Sequence, residues 1–299
     1  MNKKKIGFIG LGIMGKPMAK NLIKAGYELI IYDINKTAVD EIAALGADVA
    51  CCAAEIAGAV DIIVTMLPNS PHVTEVITGE NGVIEKIRPG AIVVDMSSIA
   101  PAVSQKLAAK LQEKGAEMLD APVSGGEPKA VDGTLAIMVG GDKKIFDEVK
   151  DILAVMGSSV TYVGSIGSGN TVKLANQMIV ALNIAALSEA LVFAAKSGVD
   201  PENVFNAIKG GLAGSTVMNA KTPLMLARNF KPGFRIELHI KDLLNAMDTA
   251  HENNVPVPLT ASVLEILQSL KVAGSSAEDH GAILKYYEKL ADTQIGGKE

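Results

Sequence analysis

Lys173, Asn176 and Gln177 stand at i, i+3 and i+4 in the run Asn170-Thr171-Val172-Lys173-Leu174-Ala175-Asn176-Gln177, so on a helix they share one face. A lysine in the first turns of a helix lies near its positive end. That field and partial burial both disfavour the ammonium form. An amine tuned in this way exchanges a proton with a carbonyl or alkoxide oxygen. An inert, exposed lysine is the alternative. The glycine-rich entry Gly167-Ser168-Gly169 and a polar face in an otherwise apolar helix argue for the reactive one. Upstream, Ser124-Gly125-Gly126 presents successive backbone N–H groups before a helical Glu127-Pro128-Lys129-Ala130. Such a nest suits a carboxylate, although a mobile turn also uses glycines.

A third group lies near the N-terminus. Gly10-Leu11-Gly12-Ile13-Met14-Gly15 follows the short apolar run Ile6–Ile9, and a second apolar run, Leu29–Tyr32, ends at Asp33. G-x-G-x-x-G between a strand and a helix, with an acid at the end of the next strand, is the arrangement a dinucleotide requires. The glycines serve the tight turn, the approach of a pyrophosphate and close helix–strand packing. The pyrophosphate then meets a helix N-terminus. Asp33 accepts the ribose hydroxyls of NAD and repels the 2′-phosphate of NADP. Lys36 leaves NADP possible, so NAD is the expected cofactor and NADP the alternative.

These groups need a frame. Strand-like runs recur at Ile6–Ile9, Leu29–Tyr32, Ile62–Met66, Ile92–Met96, Met118–Pro122, Leu135–Val139 and Val160–Val163, with helical patterns between them. The alternation predicts an α/β, doubly wound, mainly parallel sheet of the Rossmann type over residues 1–164. Continuous apolar runs such as Ile62-Ile63-Val64 fit strands covered on both faces. Ligands gather beyond the carboxyl ends of such strands. That places Leu67 and Pro68 after the third strand, Ser97 after the fourth and Ser124 after the fifth beside the cofactor or substrate. N-capping ahead of Pro101 is the alternative for Ser97 and Ser98, and for Ser98 the two readings weigh equally. From residue 165 to 299 strand patterns vanish and long helical patterns follow, which predicts an all-α second domain. Lys241, Asn245 and Asp248 form a polar line that a solvated helix face explains, and His239 reads as structural.

Composition narrows the function. Among 299 residues, 4% are aromatic, Trp is absent and the net charge is −5. That argues against a nucleic-acid partner. Cys51 and Cys52 are adjacent, poor disulfide partners, and suit a reducing cytoplasm. The four histidines show no metal-ligand spacing, so no metal is expected. The stretch Met178–Ala195 is the most membrane-like, yet it contains Asn183, Ser188 and Glu189. It reads as a buried helix of a soluble bundle, with no membrane expected.

The run Phe8–Leu22, the segment Asp120–Gly126, Gly167-x-Gly-x-x-x-Lys173-x-x-Asn176 and Lys241-Asp242-Leu243 together resemble the signature of the β-hydroxyacid dehydrogenases. The likeness covers nearly the whole chain, in order. Ser124–Ala130 with Asp132-Gly133-Thr134, Gly210–Ser215 and Phe234-Arg235-Ile236 resemble the branch that reduces 2-hydroxy-3-oxopropanoate to glycerate. The resemblance implies that Lys173 is the acid/base and that Ser124, Gly125, Gly126 and Asn176 hold the substrate. It implies that Lys241 closes over cofactor or substrate. It also implies an active site between the domains and a homodimer or homotetramer. The rivals are a 3-hydroxyisobutyrate dehydrogenase and a non-catalytic nucleotide sensor. Reduction of an imine is a third, in a similar frame that is expected to lack the lysine.

Overall fold

A computed structural model describes residues 4–297. The chain divides into two compact units, the first ending at Lys173 and the second beginning at Leu174. The first unit opens with β1 (Ile6–Ile9), α1 (Gly15–Lys24), β2 (Leu29–Tyr32), α2 (Lys36–Ala43), β3 (Asp48–Val49), α3 (Ala53–Ala59) and β4 (Ile62–Thr65). It continues with α4 (Ser70–Thr78), α5 (Val83–Lys86), β5 (Ile92–Asp95), α6 (Pro101–Gln112), β6 (Glu117–Asp120) and β7 (Val123–Ser124). Then come α7 (Gly126–Asp132), β8 (Ala136–Gly140), α8 (Lys143–Met156) and β9 (Ser159–Gly164).

Among the described residues the strands form one sheet in the order β3-β2-β1-β4-β5-β6-β8-β7, with β9 on β8. Pairing from β3 to β6 is parallel, whereas β8 runs antiparallel to β6 and β7. Successive side chains alternate between two apolar layers. Ile6, Phe8, Ile62, Val64, Ile92 and Val94 pack with Met18 and Leu22 of α1 and Val149 of α8. Ile9, Ile63, Val93 and Met118 point the other way, onto Ile56, Val73 and Leu107 of α3, α4 and α6. This is the period-2 alternation of a sheet covered on both faces. Each fully buried Ile or Leu stabilises the fold by about 1.5–3 kcal/mol.

The long helix α9 (Ser168–Lys196) starts in the first unit and continues into the second. It is followed by α10 (Pro201–Ile208), α11 (Thr216–Leu226), α12 (Ile236–Glu252), α13 (Pro258–Val272), a 3₁₀ turn at His280–Ile283, and α14 (Leu284–Leu290). The second unit has its own core. Ala181, Ile184 and Leu191 of α9 pack there with Ile240, Leu243, Leu264 and Leu267. By length and composition α9 is apolar enough to cross a membrane; Ala181, Ile184 and Leu191 serve that core, whereas Ile179 and Phe193 are exposed.

Candidate active site

The turn after β1 shows why three glycines are needed. Gly10 has φ +98°, and a Cβ there would run into the carbonyl oxygen of Met66, just past β4. A Cβ at Gly15 would collide with the carbonyl oxygen of Gly10, so α1 can start directly on the turn. Gly12 is different: its Cβ would meet nothing within 4 Å. The fold itself does not demand that glycine, but a group lying against the turn does. Met14, at the N-cap of α1, makes no side-chain cap bond. In the first turn of α1 the Lys16 and Met18 N–H groups already donate to the Gly12 and Met14 carbonyls and Pro17 has no N–H, so an anion would meet the glycine turn itself and the positive end of the helix. Gly12 and Ile13 border a cleft of about 550 Å³ with Lys16, Asn35 and Thr37. The residues present fit a dinucleotide pyrophosphate.

Asp33, at the end of β2, is half-buried. Its Oδ2 accepts the Leu11 N–H at 2.5 Å and its Oδ1 the Asn35 N–H at 2.6 Å. The acid therefore shapes the glycine turn, and each carboxylate oxygen retains a second acceptor position. It borders a smaller cleft of about 250 Å³ with Tyr32, Ile34, Lys36 and Cys51. The nearby cations already have partners: Lys36 pairs with Asp40 and Lys16 with Glu41, both at 2.9 Å.

The loops after β4 and β5 are tied together. Ser97 is fully buried, and its Oγ accepts the Leu67 N–H at 2.8 Å. The Ser97 N–H and the Thr65 hydroxyl both donate to Asp95 Oδ1, at 3.1 and 2.7 Å. The N-cap of α6 is Ala100, so neither Ser97 nor Ser98 has the capping role. The contacts run from Asp33 through Leu11 and Gly10 to Leu67 and Ser97, which brings the expected cofactor residues of this unit together. After β7, Gly125 and Gly126 have φ +140° and +70° and lead into α7, leaving Ser124 half-buried beside them.

Asp120 is a feature the sequence did not single out by itself. It is fully buried at the end of β6, beside Asp95 in register. Burial, and secondarily the Asp95 charge, push its carboxyl up to about 6, against the pull of backbone donors from Asn170 and Gly167. Those donors belong to the start of α9, each at 2.7 Å. Lys173 follows on the same helix and is 7% exposed.

In the second unit, the Asn176 amide donates to Gln177 Oε1 at 2.9 Å, and Gln177 Nε2 to Asp242 Oδ2 at 2.6 Å. Lys241 pairs with Asp242 Oδ1 at 3.0 Å. The line Lys241–Asn245–Asp248 is therefore not a solvated face: its first two members are half-buried and only Asp248 is exposed. His239 Nε2 meets the Gln177 carbonyl at 3.1 Å, and its Nδ1 lies 2.9 Å from His280 Nδ1. A carbonyl only accepts. With both rings neutral, His239 carries its proton on Nε2 and His280 donates from Nδ1. No signal in the sequence linked residues 239 and 280.

A dinucleotide turn on a doubly wound sheet, followed by a long helix that bears a buried lysine and continues into a helical unit, defines a nicotinamide-dependent dehydrogenase. Residues 5–164 match the NAD binding domain of 6-phosphogluconate dehydrogenase. Residues 167–287 match the NAD-binding family of NADP-dependent 3-hydroxyisobutyrate dehydrogenase. The chain belongs to the β-hydroxyacid dehydrogenase family and binds NAD(P). It is 45% identical to the 2-hydroxy-3-oxopropionate reductase of Escherichia coli, over 97% of this chain and 99% of that one. It is 38% identical to the mitochondrial 3-hydroxyisobutyrate dehydrogenase of Rattus norvegicus, over 95% of this chain and 87% of that one. The Mycobacterium tuberculosis 3-hydroxyisobutyrate dehydrogenase, solved with L-serine, superposes with a TM-score of 0.89 at 32% identity, covering 94% of this chain and 98% of that one. The protein is an NAD(P)-dependent oxidoreductase acting on CH–OH groups of small hydroxy acids.

Proposed function

We propose that the protein reduces 2-hydroxy-3-oxopropanoate to glycerate, with NADH as the preferred cofactor. Likeness to the Escherichia coli reductase over nearly the full length of both chains carries the substrate reading. The bound reduced nicotinamide supplies a hydride to the aldehyde carbon. Lys173, as ammonium, gives a proton to the oxygen as charge develops there, and is re-protonated from solvent. In the reverse direction the neutral amine takes the hydroxyl proton. The Ser124 hydroxyl and backbone donors at Gly125 and Gly126 hold the substrate carboxylate, and Asn176, three residues beyond Lys173 on α9, adds an amide. Holding carboxylate and carbonyl at fixed separation replaces a bimolecular encounter by an oriented one.

A panel of small 3-oxo and 3-hydroxy acids, followed by nicotinamide absorbance, tests the substrate. The hydroxyl-bearing aldehyde is expected to exceed its methyl analogue in kcat/KM by up to about 10⁴, because a site built around a hydroxyl is left unpaired by a methyl. Preference for the methyl-bearing acid would make the protein a 3-hydroxyisobutyrate dehydrogenase instead.

The cofactor preference rests on Asp33. A 2′-phosphate would enter beside its carboxylate, with Lys36 already paired to Asp40. Wild-type kcat/KM is expected to favour NADH over NADPH. In Asp33→Ala that ratio should fall by about tenfold or more, as removal of one close like charge predicts. A wild-type enzyme that favours NADPH overturns the assignment.

A further inference from the structure

We infer that Asp120, together with Asn170, is a positioning residue for Lys173, capping α9 from a neighbouring strand and fixing where the amine stands. The inference rests on the reading of Lys173 as the proton donor.

Helices usually begin with a residue whose own side chain covers a first-turn N–H. In the reciprocal form, the side chain at the third helical position covers the N–H of the cap. α9 does neither. It starts at Ser168, so Gly167 is the preceding residue and has no side chain to offer. Asn170, at the third position, uses its side chain elsewhere: Oδ1 accepts the Ile99 N–H at 3.0 Å and Nδ2 donates to Ser104 Oγ at 3.2 Å. Both backbone duties fall to Asp120. Its Oδ1 takes the Gly167 N–H and its Oδ2 the Asn170 N–H. Asp120, Asn170 and Ser104 are all fully buried. The first turn of α9 is thereby joined to β6, to the loop after β5 and to α6.

Lys173 follows Asn170 by three residues, a rise of about 4.5 Å along the axis. Any slack in the first turn passes to the amine. Displacement of a reacting group by about 1 Å can cost about 10²-fold in rate. A buried carboxylate is costly unless its hydrogen bonds are complete. Asparagine cannot replace it evenly: one oxygen becomes an NH₂ facing a backbone N–H, so one of the two bonds is lost.

Asp120→Asn, Lys173→Ala and the double variant test the assignment, with thermal melting and NADH titration for each. Asp120→Asn is expected to lower kcat by about 10–100-fold, while the dissociation constant of NADH moves by less than about threefold. In the double variant kcat should equal that of Lys173→Ala, because the lost bond acts only through the amine. Should Asp120→Asn fail to fold, Asn170→Ala, which frees the same turn from Ile99 and Ser104, must show the same pattern. Losses that multiply in the double variant overturn the inference, as does a normal kcat in Asp120→Asn. Lys173→Ala turning over at wild-type speed removes the proton-donor reading itself. Lys173→Ala being slow while Asp120→Asn is fast removes only the positioning role.

Discussion

Replacing Lys173 by alanine is expected to lower kcat by about 10²–10⁴-fold, the range for loss of a positioned acid or base. NADH affinity should be almost unchanged, because the cofactor residues proposed in the first unit lie on the turn after β1 and on the ends of the neighbouring strands. Lys173→Arg should be nearly as slow. A guanidinium carries charge but does not give up a proton at neutral pH. The two variants separate electrostatic support from proton transfer: if arginine restores most of the rate, charge alone is what the site needs. Stopped-flow reduction under single-turnover conditions, with NADH binding measured separately by fluorescence, reads both quantities. An alanine variant with near-normal turnover would place the proton donor elsewhere.

Gly12→Asp is expected to weaken NADH binding by about 100-fold or more while leaving the melting temperature within about 2 °C of wild type. A side chain there enters open space, and an acid beside a helix N-terminus is, if anything, stabilising. The new carboxylate would nevertheless occupy the position of the pyrophosphate and repel it. Gly15→Ala is the converse. Its Cβ meets the Gly10 carbonyl, which is backbone and cannot swing aside. The cost is about 1–3 kcal/mol, read as a melting temperature lower by several degrees. Calorimetry of both variants, with NADH titrations, checks the pair. If Gly12→Asp binds NADH like wild type, the pyrophosphate does not lie against this turn.

Much of this was legible in the sequence because it is local. The end of β1, the glycine turn and the start of α1 lie within adjacent residues, and each main strand announces itself as an apolar run. The strands that passed unnoticed are short. Asp48–Val49 is two exposed residues, and Val123–Ser124 owes its pairing to β8 rather than to any pattern of its own. α3 has little pattern of its own, since Ala53–Ala59 carries Ile56 as its one large apolar residue. The candidate site divides in the same way. Lys173 and Gln177 were identified by helical spacing, and both are buried. Asp33 was read as a ligand for ribose, and its bond to Leu11, across 22 residues, was not visible. The capping of α9 by Asp120 and the meeting of His239 with His280 depend on contacts between distant segments, which no spacing rule encodes.

The outsourced cap of α9 bears on the order in which the chain can fold. A helix with its cap on its own sequence closes its first turn by itself. Here the acceptor lies 50 residues upstream of Asn170, at the end of a strand that is complete only once β5 is beside it. The cap on the opening turn of α9 is therefore complete only when the sheet is formed. The final position of the lysine therefore depends on a segment of chain far upstream of it.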